Sequence, residues 1–244
     1  MSSLPNELTE LIKIKNLILS IYDEIMPLMI EYLEKHKNNE EEQKKGTFYY
    51  FCEKANQTLN AILLLIEKGC INDAYILLRS LFEVQVTCRY IYFDIPNRLP
   101  KFLNFGWIES KRRIDKGVIR VDKEQLEEIN KNFEKYKNDY KSKIYWESTK
   151  VMAEDEEVNQ KNDYDLVFLY CSSLLHVNPL AQQDYFIQKA DYQETSRVFW
   201  SSLWYSLCIL DNINEIFKLG LGDRINGTGH MIEDYGKKYV LKIE

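Results

Sequence analysis

Glycine and proline are scarce in this chain, nine and five among 244 residues, and between them apolar side chains recur at spacings of three and four. That is the period of an α-helix, whereas strands alternate with a period of two. The pattern predicts an all-α multi-helix bundle, with residues 1–244 forming one helical domain. A chain of this length can still be organised by one hydrophobic core, and no linker-like stretch divides it. The composition suits a core, since 45% of the residues are hydrophobic and 13% are aromatic, the latter supplying large side chains to fill it.

The first helix is expected from about Asn6 to Lys37, with Leu8, Leu11, Ile12, Ile18, Ile21, Ile25, Leu28 and Tyr32 on its buried side and a kink at Pro27. This N-terminal stretch, residues 1–40, is placed at the periphery. A second helix, about Glu40 to Lys68, should end at Gly69 in the left-handed conformation that glycine reaches cheaply. The third, at about 72–93, is apolar nearly all round, which places it at the centre of the bundle. Two prolines set a turn over Asp94 to Pro100, before a fourth helix that reaches Lys116 and stops at Gly117. Asp122 has the position of an N-cap for a polar helix from Lys123 to about Lys141, and Ser148 starts a short one. Asp163 to His176 forms a further helix, ended by Val177-Asn-Pro179. A long C-terminal helix at about 191–219 carries Phe199, Trp200, Leu203, Trp204, Leu207 and Leu210 into the core. Residues 221–244, with Gly222, Gly227 and Gly229 in quick succession, read as a turn and a short tail of helix or strand.

The net charge of -6 argues against a general nucleic-acid coat or an anionic-membrane binder, both of which need surplus positive charge. No basic segment precedes an apolar stretch at the N-terminus, and apolar runs such as Ala61 to Ile66 are too short to span a bilayer. A cytoplasmic protein with no membrane partner is the expectation. Cys52, Cys70, Cys88, Cys171 and Cys208 include no C-x-x-C pair, and His36, His176 and His230 are equally scattered. They are read as reduced thiols, at least four of them in the core, with no metal site and no cofactor.

Polar residues that sit where the pattern calls for apolar ones are the candidates for chemistry. Arg79 and Glu83 lie four apart on the apolar third helix, so they share a face and can pair along it. Such a pair either fixes helix register inside the core or belongs to a working site. Downstream, Tyr170-Cys-Ser-Ser-Leu-Leu-His-Val-Asn-Pro179 puts Ser173 and His176 three apart, with the histidine in the last helical turn. A Ser-x-x-His pair is by itself more often a hydroxyl and a satisfied histidine than a nucleophile and its base.

Taken in order, a glycine turn, Ala74-Tyr-Ile-Leu-Leu-Arg-Ser-Leu-Phe-Glu83, Tyr90-Ile-Tyr, an isolated Trp146 and Tyr170-x-x-Ser-Leu-Leu-His176 resemble the bacterial family catalogued as domain of unknown function 5677. The similarity covers roughly residues 50 to 180. Arg79, Glu83 and His176 stand at positions where that family repeats Arg, Glu and His. The resemblance implies a helical fold and one shared polar centre, joined by Ser173 and Tyr170, without implying an activity.

Two further signals concern RNA. Arg224-Ile-Asn-Gly-Thr-Gly-His230 fits the loose Arg-x(4-6)-His pattern of HEPN ribonucleases, helical domains in which Arg binds the scissile phosphate and His transfers protons without metal. The glycines, however, should break the helix that this motif rides on. Lys111, Arg112, Arg113 and Lys116 concentrate positive charge near Phe105 and Trp107, the mixture that a single-stranded RNA contact uses, although helix surfaces with basic runs are usually only solvated.

No phosphate loop, dinucleotide fingerprint, zinc motif or nucleophile elbow is present. Three functions then compete. The leading one is an interaction or regulatory protein, a homodimer or partner of another protein, with a buried Arg-Glu-His centre. The others are a metal-independent endoribonuclease of the HEPN type in a toxin or phage-defence setting, with His176 as acid/base, and a small-molecule-binding bundle. A closed centre favours the first; an open cleft favours the others.

Overall fold

The computed structural model describes residues 6–140, 146–175 and 192–240. Every regular element among them is helical. Helix α1 (Asn6–Lys35) and the short α2 (Glu40–Lys44) lead into α3 (Gly46–Glu67), α4 (Ile71–Phe93) and α5 (Ile95–Asp115). After α6 (Lys123–Tyr136) come α7 (Thr149–Glu154) and α8 (Lys161–Asp163), then a π-helical turn at Tyr164–Phe168 and α9 (Leu169–Leu175). The long α10 (Tyr192–Phe217), α11 (Gly222–Tyr235) and a second π turn at Gly236–Val240 follow. The all-α bundle expected from the apolar period is what the chain forms.

Helix α4 is the hub, packing against α3, α5, α7, α9 and α10. Its buried residues include Tyr75, Leu78, Leu81, Phe82, Gln85, Val86, Cys88 and Ile91. They cover a broad arc, which is why one helix can serve neighbours on several sides. Burying a Leu or Phe side chain stabilises by roughly 1.5–3 kcal/mol. Phe82 lies within this arc, edge-on to Tyr205 of α10 at 5.3 Å.

Several boundaries follow their predicted signals. Gly69 and Gly117 have φ of +74° and +68°, closing α3 and α5 in the left-handed region, whereas α10 closes at Lys218, φ +54°, with the Leu219 N–H donating to the Asn214 carbonyl at 3.1 Å, two residues before the expected Gly220. Asp122 accepts from the Gln125 backbone N–H while the Gln125 side chain accepts from the Asp122 N–H, a complete capping box for α6. Ser148 caps α7 through the Val151 N–H at 3.3 Å.

Others differ. The N-terminal helix is not peripheral: Leu11, Ile14, Ile18, Ile21, Tyr22, Ile25 and Met29 are at most 2% exposed, and α1 packs on α3, α10 and α11. Pro27 lies on its exposed side, so the missing N–H does not interrupt the buried stripe. The second predicted helix is two, because the chain breaks at Lys45, just before Gly46 opens α3, glycine costing about 1 kcal/mol relative to alanine inside a continuous helix. The proline turn shrinks to Asp94. Pro96 sits in the first turn of α5, where its missing N–H costs nothing, and Pro100 lies inside the helix.

The C-terminal stretch differs most. Residues expected as turn and tail form α11, with Ile225, Thr228, Ile232 and Tyr235 buried at helical spacing. Packing of that stripe on α1 and α10 overrides the low helix propensity of three glycines. Of the cysteines, Cys52, Cys88 and Cys171 are buried, Cys208 is half-buried and Cys70 is exposed, all five being free; the core thus holds three rather than four. No described helix is long and apolar enough to cross a membrane.

Candidate functional site

Arg79 and Glu83 stand one turn apart on α4 and meet as predicted, Arg79 Nη2 donating to Glu83 Oε1 at 3.4 Å. The centre they form is half-buried rather than closed. Their side chains are 25% and 41% exposed, and with Thr87 a turn further along they form one wall of a cleft of about 390 Å³. Trp146 and Ser148 to Lys150 of the α7 start line a second side, and Tyr164 and Phe168 of the π turn a third. The π turn is wider than an α turn, bringing residues four apart nearly into register. Tyr164 and Phe168 accordingly stack at 4.8 Å with planes 17° apart. The Arg79 guanidinium lies over the Phe168 ring at 4.4 Å, a cation–π contact.

The electrostatics are those of a half-dry site. Partial burial raises the Glu83 carboxyl above its ordinary value, and the Arg79 guanidinium offsets part of that rise. Arg79 Nε is buried and has no hydrogen-bond partner among the described residues. Nearby, burial pushes the Cys171 thiol up to about 12 despite the Arg79 charge, so at neutral pH it is a packed thiol and no nucleophile.

Helix α9 packs along α4, bringing Tyr170 edge-on to Tyr75 at 5.4 Å, one turn before Arg79. Tyr75 in turn donates to the Glu194 carboxylate, which also holds Arg197 at 2.6 Å. His176 and the Ser173 side chain lie outside the described residues, as does the expected approach of His176 to Arg79 or Glu83.

The RNA signals fare differently from their expectations. Arg224 and His230 both ride on α11, so the glycines do not break that helix. Six residues apart on a helix, they point about 120° away from each other. Arg224 is already bonded to Glu24 and Ser20 of α1, and His230 is exposed. The pair shares no site. The basic run is neutralised locally, with Lys111 on Asp115 at 2.7 Å, Arg112 on Glu109 at 3.0 Å and Arg113 on Glu109 at 3.9 Å; Lys116 follows as the C-cap residue of α5.

A smaller cleft of about 300 Å³ lies on the other side of Trp146, lined by Tyr90, Asp94, Arg98, Lys101 and others. Its Arg98 is structurally engaged, donating to Asp155 at 2.9 Å and to the Tyr90 carbonyl at 2.8 Å. No group of three or more metal-binding side chains occurs among the described residues.

Sequence reasoning finds the cation and carboxylate of the Arg79–Glu83 cleft but not Thr87, Lys150, Tyr164 and Phe168. Trp146 was visible only as an isolated aromatic. The signal that joins them is the π turn, which no periodicity argument resolves from a continuous helix.

Residues 47–194 match the profile described as a family of unknown function (DUF5677). No curated protein and no solved structure matches the chain.

Proposed function

We propose that this chain, which belongs to the DUF5677 family of unknown function, is a small-molecule-binding helical bundle whose site is the cleft beside Arg79 and Glu83. The observation that carries this reading is the pair's incomplete closure: a single contact of 3.4 Å on side chains 25% and 41% exposed. A pair that served only to fix register inside a core would be dry and fully hydrogen-bonded, since a buried charge stripped of its partner costs about 3–5 kcal/mol. This one faces a cleft that also gathers aromatic rings and a lysine. Mostly apolar walls with a few convergent polar groups are the usual makeup of ligand sites, and π turns occur often at functional sites. The interaction-protein reading rests on a closed centre and has no comparable observation behind it.

The test uses full-length protein labelled with fluorotryptophan, the Trp146 fluorine resonance being assigned through Trp146→Phe. Phenyl phosphate and benzoate, planar rings bearing an anion, serve as probes. A saturable shift of the Trp146 resonance at millimolar probe, lost in Arg79→Met, is the expected result. If that resonance stays unmoved by both probes, the cleft is not a ligand site of this kind.

A further inference from the structure

Arg79 and Glu83 offer a donor and an acceptor side by side. Their mutual contact, Nη2 to Oε1 at 3.4 Å, uses one of five guanidinium N–H groups and one of two carboxylate oxygens. Each therefore keeps an edge for a third party. A ligand edge that complements both must set an N–H beside an acceptor, the N–H donating to Glu83 and the acceptor accepting a hydrogen bond from an Arg79 N–H. Nucleobases carry such an edge: guanine sets its ring N–H beside O6, and adenine sets its amino group beside a ring nitrogen. Arg and carboxylate side chains read these groups wherever bases are recognised.

The rest of the cleft extends the match. Trp146 gives it flat aromatic surface, on which any base can stack, while Phe168 is already covered by Tyr164 and the Arg79 guanidinium and fixes the latter in place. Thr87 adds a hydroxyl. Lys150 stands at the mouth, 59% exposed and only loosely paired with Glu154 at 3.9 Å. Arg79 and Lys150 against Glu83 leave the lining with two cations and one anion, a local positive excess in a chain whose net charge is -6. That excess favours an anionic ligand group at the open end.

We infer that the cleft takes a nucleoside phosphate, with Arg79 and Glu83 reading the base edge, Trp146 a face of the base, and Lys150 the phosphate. This rests on the cleft being a ligand site. The same chemistry is offered by a free nucleotide and by one unit of a single-stranded RNA.

The experiment follows the Trp146 fluorine resonance while full-length protein is titrated with GMP, AMP, ribose 5-phosphate and a short single-stranded RNA. Both nucleotides should shift the resonance saturably, and ribose 5-phosphate, which lacks a base, should not. Arg79→Met and Glu83→Gln should each weaken nucleotide binding by about ten-fold or more. Lys150→Met, at an exposed position that the fold does not need, should weaken GMP but not guanosine. RNA binding tighter than GMP would identify RNA as the source and equal or weaker binding a free nucleotide, both in support of the inference. Equal responses to GMP and ribose 5-phosphate, or nucleotide affinity untouched by all three substitutions, would overturn it. So would binding of phenyl phosphate without binding of nucleotides, a result that leaves the ligand cleft itself standing; silence toward every probe would remove both.

Discussion

Gly236→Ala tests how the C-terminal helix is locked to the core. Gly236 caps α11 with φ -56° and ψ -49°, a right-handed helical conformation open to any residue, so the backbone itself does not demand glycine. Space does. A Cβ there would come within 2.9 Å of three atoms of the Trp200 ring. That ring is held, its Nε1–H donating to the Ile232 carbonyl at 2.9 Å and its face stacked on Trp204 at 6.4 Å. Overpacking costs about 1–3 kcal/mol, and displacing Trp200 from its hydrogen bond adds roughly 0.5–1.5 kcal/mol. Alanine regains roughly 0.4–1 kcal/mol by restricting the unfolded chain. The net effect is destabilisation by about 1–3 kcal/mol, or a midpoint lower by roughly 2–12 °C for a protein of this size. Gly227, on the same helix with no heavy atom within 4 Å of its would-be Cβ, is the matched control: Gly227→Ala should stabilise by roughly 0.4–1 kcal/mol. Urea unfolding of both variants, followed by circular dichroism, measures the two effects. Finding Gly236→Ala as stable as Gly227→Ala would refute the assigned Trp200 packing.

Asp163, whose carboxyl is raised by burial alone, holds its proton more tightly when folded, so its contribution to stability is full below the unfolded value of about 3.9 and is lost as pH rises through the folded one. Asp163→Asn should accordingly be more stable than the parent at neutral pH and converge with it near pH 3, as read from melting curves across pH; a neutral-pH loss would contradict the desolvation argument. Asp122→Ala, which removes the capping box of α6, should cost about 1 kcal/mol in urea unfolding, and no measurable loss would mean that the cap is idle. One thiol per chain, that of the exposed Cys70, should react quickly with a disulfide reagent under native conditions. Cys52 and Cys171, buried and pushed up to about 12, should react only in denaturant, the half-buried Cys208 should react more slowly than Cys70, and a second fast thiol in the native protein would show that the core is looser than described.

What the sequence made legible follows from what fixes each feature locally. The glycine stops at Gly69 and Gly117 and the Asp122 and Ser148 caps depend on a few adjacent residues and are legible in the sequence. The central place of α4 followed from apolar residues all round it. The buried side of α1, Ile18 and Ile21 included, is legible in the spacing, but its central place depends on packing against α3, α10 and α11; the helicity of Gly222–Tyr235 is masked by glycine's low local propensity, whereas the decisive term is tertiary burial of Ile225 and Ile232. Arg79 and Glu83 were found because charge is conspicuous on an apolar helix. Whether they faced a closed core or a cleft depended on how α7 and the Tyr164–Phe168 turn dock on α4, which no spacing along the chain encodes.

The π turn at Tyr164–Phe168 also has an evolutionary meaning. Such a turn is an α-helix carrying one additional residue, so losing a single codon between the two aromatic positions restores ordinary α pitch. With one residue fewer between them at α pitch, Tyr164 and Phe168 would stand three apart, about 60° from each other around the axis and still neighbours on one face. The near-parallel stacking of the two rings, with planes 17° apart, would change while the wall kept both of them, and the apolar stripes of α1, α4 and α10 would stay intact. Relatives that share the core but differ in length by one residue in this stretch would then differ in the shape of the cleft rather than in its presence.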